Sequence, residues 1–309
     1  MRIFNLEERL EHSLSTIQYY FDNEYRYYSE HNKYPFLLDG ESVISLYRRL
    51  NIQVLVTKRC PFSCPFCVER MNPVGGIAKE NCMRQVEILK DVISAVGKAG
   101  LNPTVSFTGG EPMLNPTHVN EMMHLLEENH VMYNVNTSGC LMNASCYPTL
   151  MAASRINLSV HESDPIKNGA IFGRAAEEYW NNPIFAANKT TIQKVITTKP
   201  DLASICQFIQ AFPQKRFSLR FPTEDETVSS IEWRDLFLEL QKECHSDIKF
   251  IQQKIGDYYW YEEWMIGDKL VHFSFSSLKQ LHRNKLNEKE TIIRALIIEP
   301  DGTIKYDWL

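Results

Sequence analysis

Arg59-Cys60-Pro61-Phe62-Ser63-Cys64-Pro65-Phe66-Cys67 follows closely on the apolar stretch Ile52 to Val56. The apolar stretch reads as a β-strand, and the prolines after it mark a loop, not a packed core segment. Cys60, Cys64 and Cys67 therefore stand together at the mouth of a strand. Thiolates are soft ligands that suit zinc or iron–sulfur clusters. A fourth cysteine would close the coordination shell, and this run supplies three. An iron–sulfur cluster held that way keeps one iron for a ligand that is not protein. Open coordination goes with chemistry, closed coordination with structure. The plainer alternatives are a structural zinc site completed by a distant His or Cys, and a chance grouping of buried thiols. A disulfide framework does not suit a chain of this size without a secretion signal.

A second motif narrows the reading. Val105-Ser106-Phe107 is a short strand by pattern, and Thr108-Gly109-Gly110-Glu111-Pro112 follows it. Glycines let the backbone approach a ligand closely, and a carboxylate at a strand end accepts hydrogen bonds from a ligand ammonium. With both motifs present, the chain resembles the radical S-adenosylmethionine (SAM) superfamily. Its signature is Cys-x3-Cys-x2-Cys after the first strand, with an aromatic before the third cysteine, here Phe66, and Gly-Gly-Glu-Pro after the second strand.

The resemblance implies that Cys60, Cys64 and Cys67 hold a [4Fe–4S] cluster whose fourth iron chelates the amino and carboxylate groups of SAM. It implies Phe66 near the adenine, with Gly109, Gly110 and Glu111 at the methionine ammonium. Thr137 and Ser138, in Asn136-Thr137-Ser138-Gly139, stand where many relatives have Thr-Asn-Gly. Ser159 stands where relatives place a ribose-contacting serine, and Arg220 resembles a sixth-strand arginine that helps to bind the SAM carboxylate. An ordinary polar strand end is the alternative for each of these four.

Around the motifs, strand and helix alternate. The pattern predicts strands over 52–57, 103–107, 131–136, 156–161, 190–197 and 216–221, with helices over 79–99, 116–129, 144–154 and 201–211 and one ending near 182. Such βα units imply α/β architecture with a parallel sheet and right-handed crossovers. The resemblance implies that this sheet curls into an open, partial (β/α)6 radical SAM barrel, with both motifs at the C-terminal strand ends. Three regions are expected: a helical N-terminal extension over 1–50, the core barrel over 51–222, and a C-terminal extension over 223–309. The last contains an amphipathic helix over 229–244, an aromatic-rich stretch from Phe250 to Phe275 and a β-hairpin over 292–308. It is expected to close the barrel and wall the substrate pocket, core packing being the alternative for each aromatic.

With 309 residues, 44% of them hydrophobic and 23% charged, the composition is that of a soluble globular protein. A formal charge of −5 argues against broad nucleic-acid binding. No membrane span or signal peptide is legible, so a cytoplasmic location is expected. Cys82, Cys140, Cys146, Cys206 and Cys244 form no Cys-x2-Cys pair. They read as small buried hydrophobes, without an auxiliary cluster, although Cys140 beyond the third strand is a candidate hydrogen-atom donor. The resemblance implies a biosynthetic enzyme that cleaves SAM reductively and takes hydrogen from a small-molecule or nucleotide-like substrate. Its electron donor would be a flavodoxin or ferredoxin. A maturase of a ribosomally made peptide is the second reading, and a non-catalytic cluster- or SAM-binding regulator the third.

Overall fold

Strand β1 (Arg49–Thr57) buries Ile52, Val54 and Val56 on one face, and this alternation sets the pattern for the whole sheet. A computed structural model describes residues 49–67, 81–139, 145–175, 178–185, 189–196, 201–221, 236, 239–240, 242–243, 247–255, 259–276 and 295–305. β2 (Asn102–Gly109), β3 (Met132–Thr137), β4 (Ile156–Ser159), β5 (Thr190–Val195) and β6 (Arg216–Phe221) each lie parallel to the strand before. The connections carry α1 (Cys82–Lys98), α2 (Pro116–Glu128), α3 (Cys146–Ala152), α4 (Pro165–Phe172) and α5 (Leu202–Gln210). Local sequence starts these helices: Asn81, Asn115, Asp164 and Asp201 each accept from a backbone N–H of the first turn. Pro116 and Pro165 supply the helical φ at the first position. The parallel strand series expected from sequence is therefore present, within a few residues at each end.

The two faces of the sheet differ in chemistry. Val105, Phe107, Val135, Leu158 and Leu219 are buried on the side where helix residues such as Leu89, Val119 and Phe208 complete the core. On the other side polar side chains bond across strands. Asn157 donates to Asn134 Oδ1 at 2.9 Å and Asn136 Oδ1 at 2.7 Å, and Asn134 donates to Ser106 at 3.0 Å. A parallel sheet with helices on both faces would be apolar on both. This one has a polar inner face.

The C-terminal region extends the sheet at both edges. β7 (Ile248–Ile255), β8 (Tyr259–Ile266) and β9 (Lys269–Ser276) form an antiparallel meander whose last strand runs parallel to β6. At the other edge β10 (Ala295–Ile298) lies parallel to β1 and turns back through β11 (Ile304–Lys305). The 11-stranded sheet among the described residues runs β11-β10-β1-β2-β3-β4-β5-β6-β9-β8-β7.

The hairpin forms, and it lies at the β1 edge of the sheet, opposite the edge that carries the aromatic stretch. The physical reason is that β1 would otherwise present an unpaired row of peptide groups, which β10 satisfies. Trp264, expected at the pocket, is fully buried, donates its indole N–H to Glu262 at 2.9 Å and packs 5.2 Å from Phe250. It is core. The expected N-terminal extension and most of the helix over 229–244 lie outside the described residues, although Leu236 and Leu240 of that helix are buried as its apolar face requires.

Candidate cofactor site

The site is built where β1 and β2 end. Thr57 closes β1, and its hydroxyl accepts from Arg59 N–H at 3.0 Å. Gly110 N–H then donates to the Thr57 carbonyl at 2.6 Å, and Glu111 N–H to the Arg59 carbonyl at 2.9 Å. The approach to the cysteine loop therefore lies backbone to backbone on the Gly-Gly turn. A Cβ at Gly109 would stand 2.4 Å from the Thr57 oxygen, and one at Gly110 1.9 Å from the Arg59 oxygen. Gly109 also has φ +118°, which other residues rarely adopt. The close approach that these glycines permit is, first of all, that of the chain's own cysteine loop.

The far side of the loop is fastened as well. Ser63 N–H donates to the Phe172 carbonyl at 2.9 Å at the end of α4. Gly173 caps that helix at φ +71°, and a Cβ there would stand 2.0 Å from Ser63 Oγ. Phe62 packs edge-on against Phe172 at 5.7 Å. Between these fastenings Cys60 is exposed and Cys64 and Cys67 are half-buried. Among the described residues no three metal-binding side chains close on one point as a single ion requires. A multi-iron cluster instead spreads its thiolates over separate irons. Three cysteines on one anchored loop fit such a group.

Glu111 is nearly inaccessible, and its carboxylate is taken up by the protein. Oε1 accepts from Thr137 Oγ1 at 2.7 Å and Met113 N–H at 3.1 Å. Oε2 accepts from Ser138 N–H at 2.9 Å and Ser138 Oγ at 2.7 Å. Burial raises its pKa, and these hydrogen bonds pull the other way. The structure thus brings Glu111, Thr137 and Ser138 together, as one cluster tying the end of β3 to the Gly-Gly turn.

Phe66 meets the ring of His161 edge-on at 4.6 Å. His161 is buried, and its Nδ1 accepts from Val195 N–H at 3.2 Å. Burial, then the charge of Lys194, pushes its pKa down to about 3, so the ring is neutral. The backbone N–H groups of His161 and Glu162 donate to Asn168 Oδ1 at 2.8 and 3.2 Å. Asn168 donates to Tyr179 Oη at 3.2 Å, and Tyr179 donates to the Ser159 carbonyl at 2.8 Å. This relay sets the end of β4 and supports Phe66 from behind. Sequence reasoning missed His161, Asn168 and Tyr179, because no motif spacing ties them to the cysteines.

Ser159 and Arg220 stand apart from the Glu111 cluster, on β4 and β6. Arg220 is open to solvent, yet the surrounding protein desolvates it and pushes its pKa down. Cys140 lies outside the described residues. Of the other spare thiols, Cys146 is buried and Cys82 and Cys206 are half-buried.

The hairpin reaches this site from the β1 edge of the sheet. Glu299, at its turn, is buried between Lys58 Nζ at 2.8 Å and Lys305 Nζ at 2.6 Å. Gln85 on α1 donates to the carbonyls of Leu55 and Glu299, each at 2.9 Å. Lys58 lies in the short link between β1 and the first cysteine, so the hairpin steadies the root of the loop.

Residues 54–189, from within β1 to the threshold of β5, match the Radical SAM superfamily. The chain carries a radical SAM domain. The family that these residues match implies SAM and an iron–sulfur cluster. No curated protein matches the chain. Among solved structures it is similar to SuiB of Streptococcus suis bound to precursor peptide SuiA, with TM-score 0.53 and 14% identity over 92% of this chain and 71% of that one. The SAM-bound form of SuiB gives TM-score 0.50 and 14% identity over 87% of this chain, which spans 64% of that one. Native anSMEcpe with bound AdoMet gives TM-score 0.55 and 13% identity over 84% and 74%. At these identities the likeness is one of fold. No helix among the described residues is long and apolar enough to cross a membrane.

Proposed function

We propose that this radical SAM domain binds a [4Fe–4S] cluster through Cys60, Cys64 and Cys67, binds SAM beside it, and acts on a small-molecule or nucleotide-like substrate. The observation that carries this reading is the anchored loop with three cysteines, seated on the Gly109-Gly110 turn. The bound cluster would supply an electron that cleaves SAM to methionine and a 5′-deoxyadenosyl radical, which takes hydrogen from a substrate carbon. The chain's own residues position and shield. Phe62, Phe66, Phe172 and the neutral His161 surround one flank of the cysteine loop with rings, which keeps water from that side. Arg220 offers a permanent charge for the SAM carboxylate, and Ser159 a hydroxyl for its ribose. Glu111 acts through Thr137 and Ser138, whose positions it sets.

The likeness to peptide-bound SuiB, over 92% of this chain, favours a second reading in which the substrate is a ribosomally made peptide. The experiment is anaerobic reconstitution with iron and sulfide, then reduction with dithionite in the presence of SAM. The reading expects electron paramagnetic resonance of a reduced [4Fe–4S] centre and slow release of 5′-deoxyadenosine. Candidate metabolites and peptides are then compared by how far each quickens that release. A centre that forms without ever cleaving SAM would sink the reading.

A further inference from the structure

The inner face below the cysteine loop has a charge pattern that the cofactor site does not use. Strand register sets Ser159, Gln193, Ser218, His272 and Glu263 in one row across β4, β5, β6, β9 and β8. The next row toward the strand starts holds Asn157, Thr191 and Arg216. The direction of these side chains follows from their neighbours. Phe217 and Leu219, which alternate with them on β6, are buried on the helix side, with Phe217 against Phe208 of α5. Arg155 precedes the buried Ile156, so by the same alternation it shares the inner face with Asn157.

Arg155 and Arg216 are both open to solvent and close enough to feel each other's charge. Burial and the Arg216 charge push the Arg155 pKa down, and the Glu263 carboxylate pulls it back up. Glu263 also lies 4.0 Å from His272 Nδ1. Guanidinium groups remain charged at any working pH, so these two arginines and one carboxylate leave the patch net positive. Planar forks of this kind match carboxylates and phosphates through paired N–H donors. Arg216 and Arg220 point the same way on β6 four residues apart, a separation of roughly 13 Å. One strand thus presents two arginines, one at the cofactor end and one deeper.

Resting on the radical SAM reading above, we propose that Arg155 and Arg216 anchor an oxyanion of the substrate, a carboxylate or a phosphate. The reacting carbon would then lie nearer the row of Ser159, Gln193 and Ser218, about 7 Å along the strand from Arg216 and about 13 Å from Arg155. The substrate is accordingly an acid whose charged end is held away from the carbon that loses hydrogen.

The test uses the full chain, reconstituted and loaded with SAM, at constant ionic strength. Succinate and inorganic phosphate are titrated separately and followed by calorimetry, with sodium chloride as the control. Wild type should bind at least one of the two, and the Arg155→Gln/Arg216→Gln double variant at least tenfold more weakly. Succinate alone assigns a carboxylate, phosphate alone a phosphate, and both together the shared oxyanion site. Iron content and circular dichroism check the variant's fold. If it does not fold, Arg216→Lys replaces it, and should lose succinate affinity more than phosphate affinity because the fork is gone. Binding of neither anion above the chloride control, or equal binding by wild type and folded variant, overturns the anchor. The release of 5′-deoxyadenosine by the same wild-type sample separates the two claims. SAM cleavage without anion binding ends only the anchor, whereas absent SAM cleavage ends the reading beneath it.

Discussion

Glu111 is held by donors from the end of β3 and from the turn that follows it. A carboxylate offers about four acceptor sites, and Thr137, Ser138 and Met113 supply donors to them. Glu111→Ala should therefore cost stability, about 3 kcal/mol once non-additivity is allowed for, with the loss read from urea denaturation. An unchanged midpoint with weakened SAM binding would instead make the carboxylate a direct ligand. His161 carries a pH signature. Its pKa of about 3 lies below the ordinary 6.5, so the unfolded chain takes up a proton that the folded chain refuses. The stability linked to this ring is full above pH 6.5 and is lost as pH falls toward 3. The loss should reach roughly 2 kcal/mol at pH 5. Melting between pH 7 and pH 5 should fall less steeply in His161→Gln, which cannot titrate there. Equal slopes would show that the ring is not held neutral. The residues legible in sequence were those in contiguous motifs. His161, Asn168 and Tyr179 were not, because they join the site through burial and long-range hydrogen bonds.

Among the elements, the parallel strands were legible because each is a short apolar run, and four of the helices between them begin with a side-chain cap. The meander β7–β9 was not read as strands. Tyr259, Trp260 and Tyr261 stand side by side in the sequence, which obscures the alternation and looks like a pocket lining in one dimension. The hairpin was legible from Pro300-Asp301-Gly302, but its edge was not, since nothing local says which strand lacks a neighbour. Leu296, Ile297 and Ile298 are buried beside β1, and each apolar side chain of this kind contributes about 1.5–3 kcal/mol. Truncation before Ile292 should thus unfold the barrel edge and lower the melting temperature. A folded truncated chain that cleaves SAM but makes no product would return the hairpin to the pocket. Glu299→Gln isolates the ionic part. It should cost roughly 2 kcal/mol, less than a wholly buried pair because Lys58 is partly exposed, and should quicken iron loss to a chelator. Unchanged stability and chelator kinetics would remove the hairpin's role at the loop.

At the scale of the whole molecule, the fold sorts chemistry by face and by end. Helices and apolar side chains occupy one face of the sheet, and the amide ladder and arginines the other. Both motifs meet where parallel strands end, which is where barrels of this kind gather their loops. The account's central claim is that the loop at that end holds one cluster that cleaves SAM. Its most direct test is iron, sulfide and 5′-deoxyadenosine measured on one anaerobic preparation, for wild type and for the Cys60→Ala/Cys64→Ala/Cys67→Ala variant. Wild type should hold about four irons and four sulfides per chain and release 5′-deoxyadenosine on reduction, while the variant does neither. Undiminished iron in the variant, or a fully loaded wild type that leaves SAM intact, would contradict it.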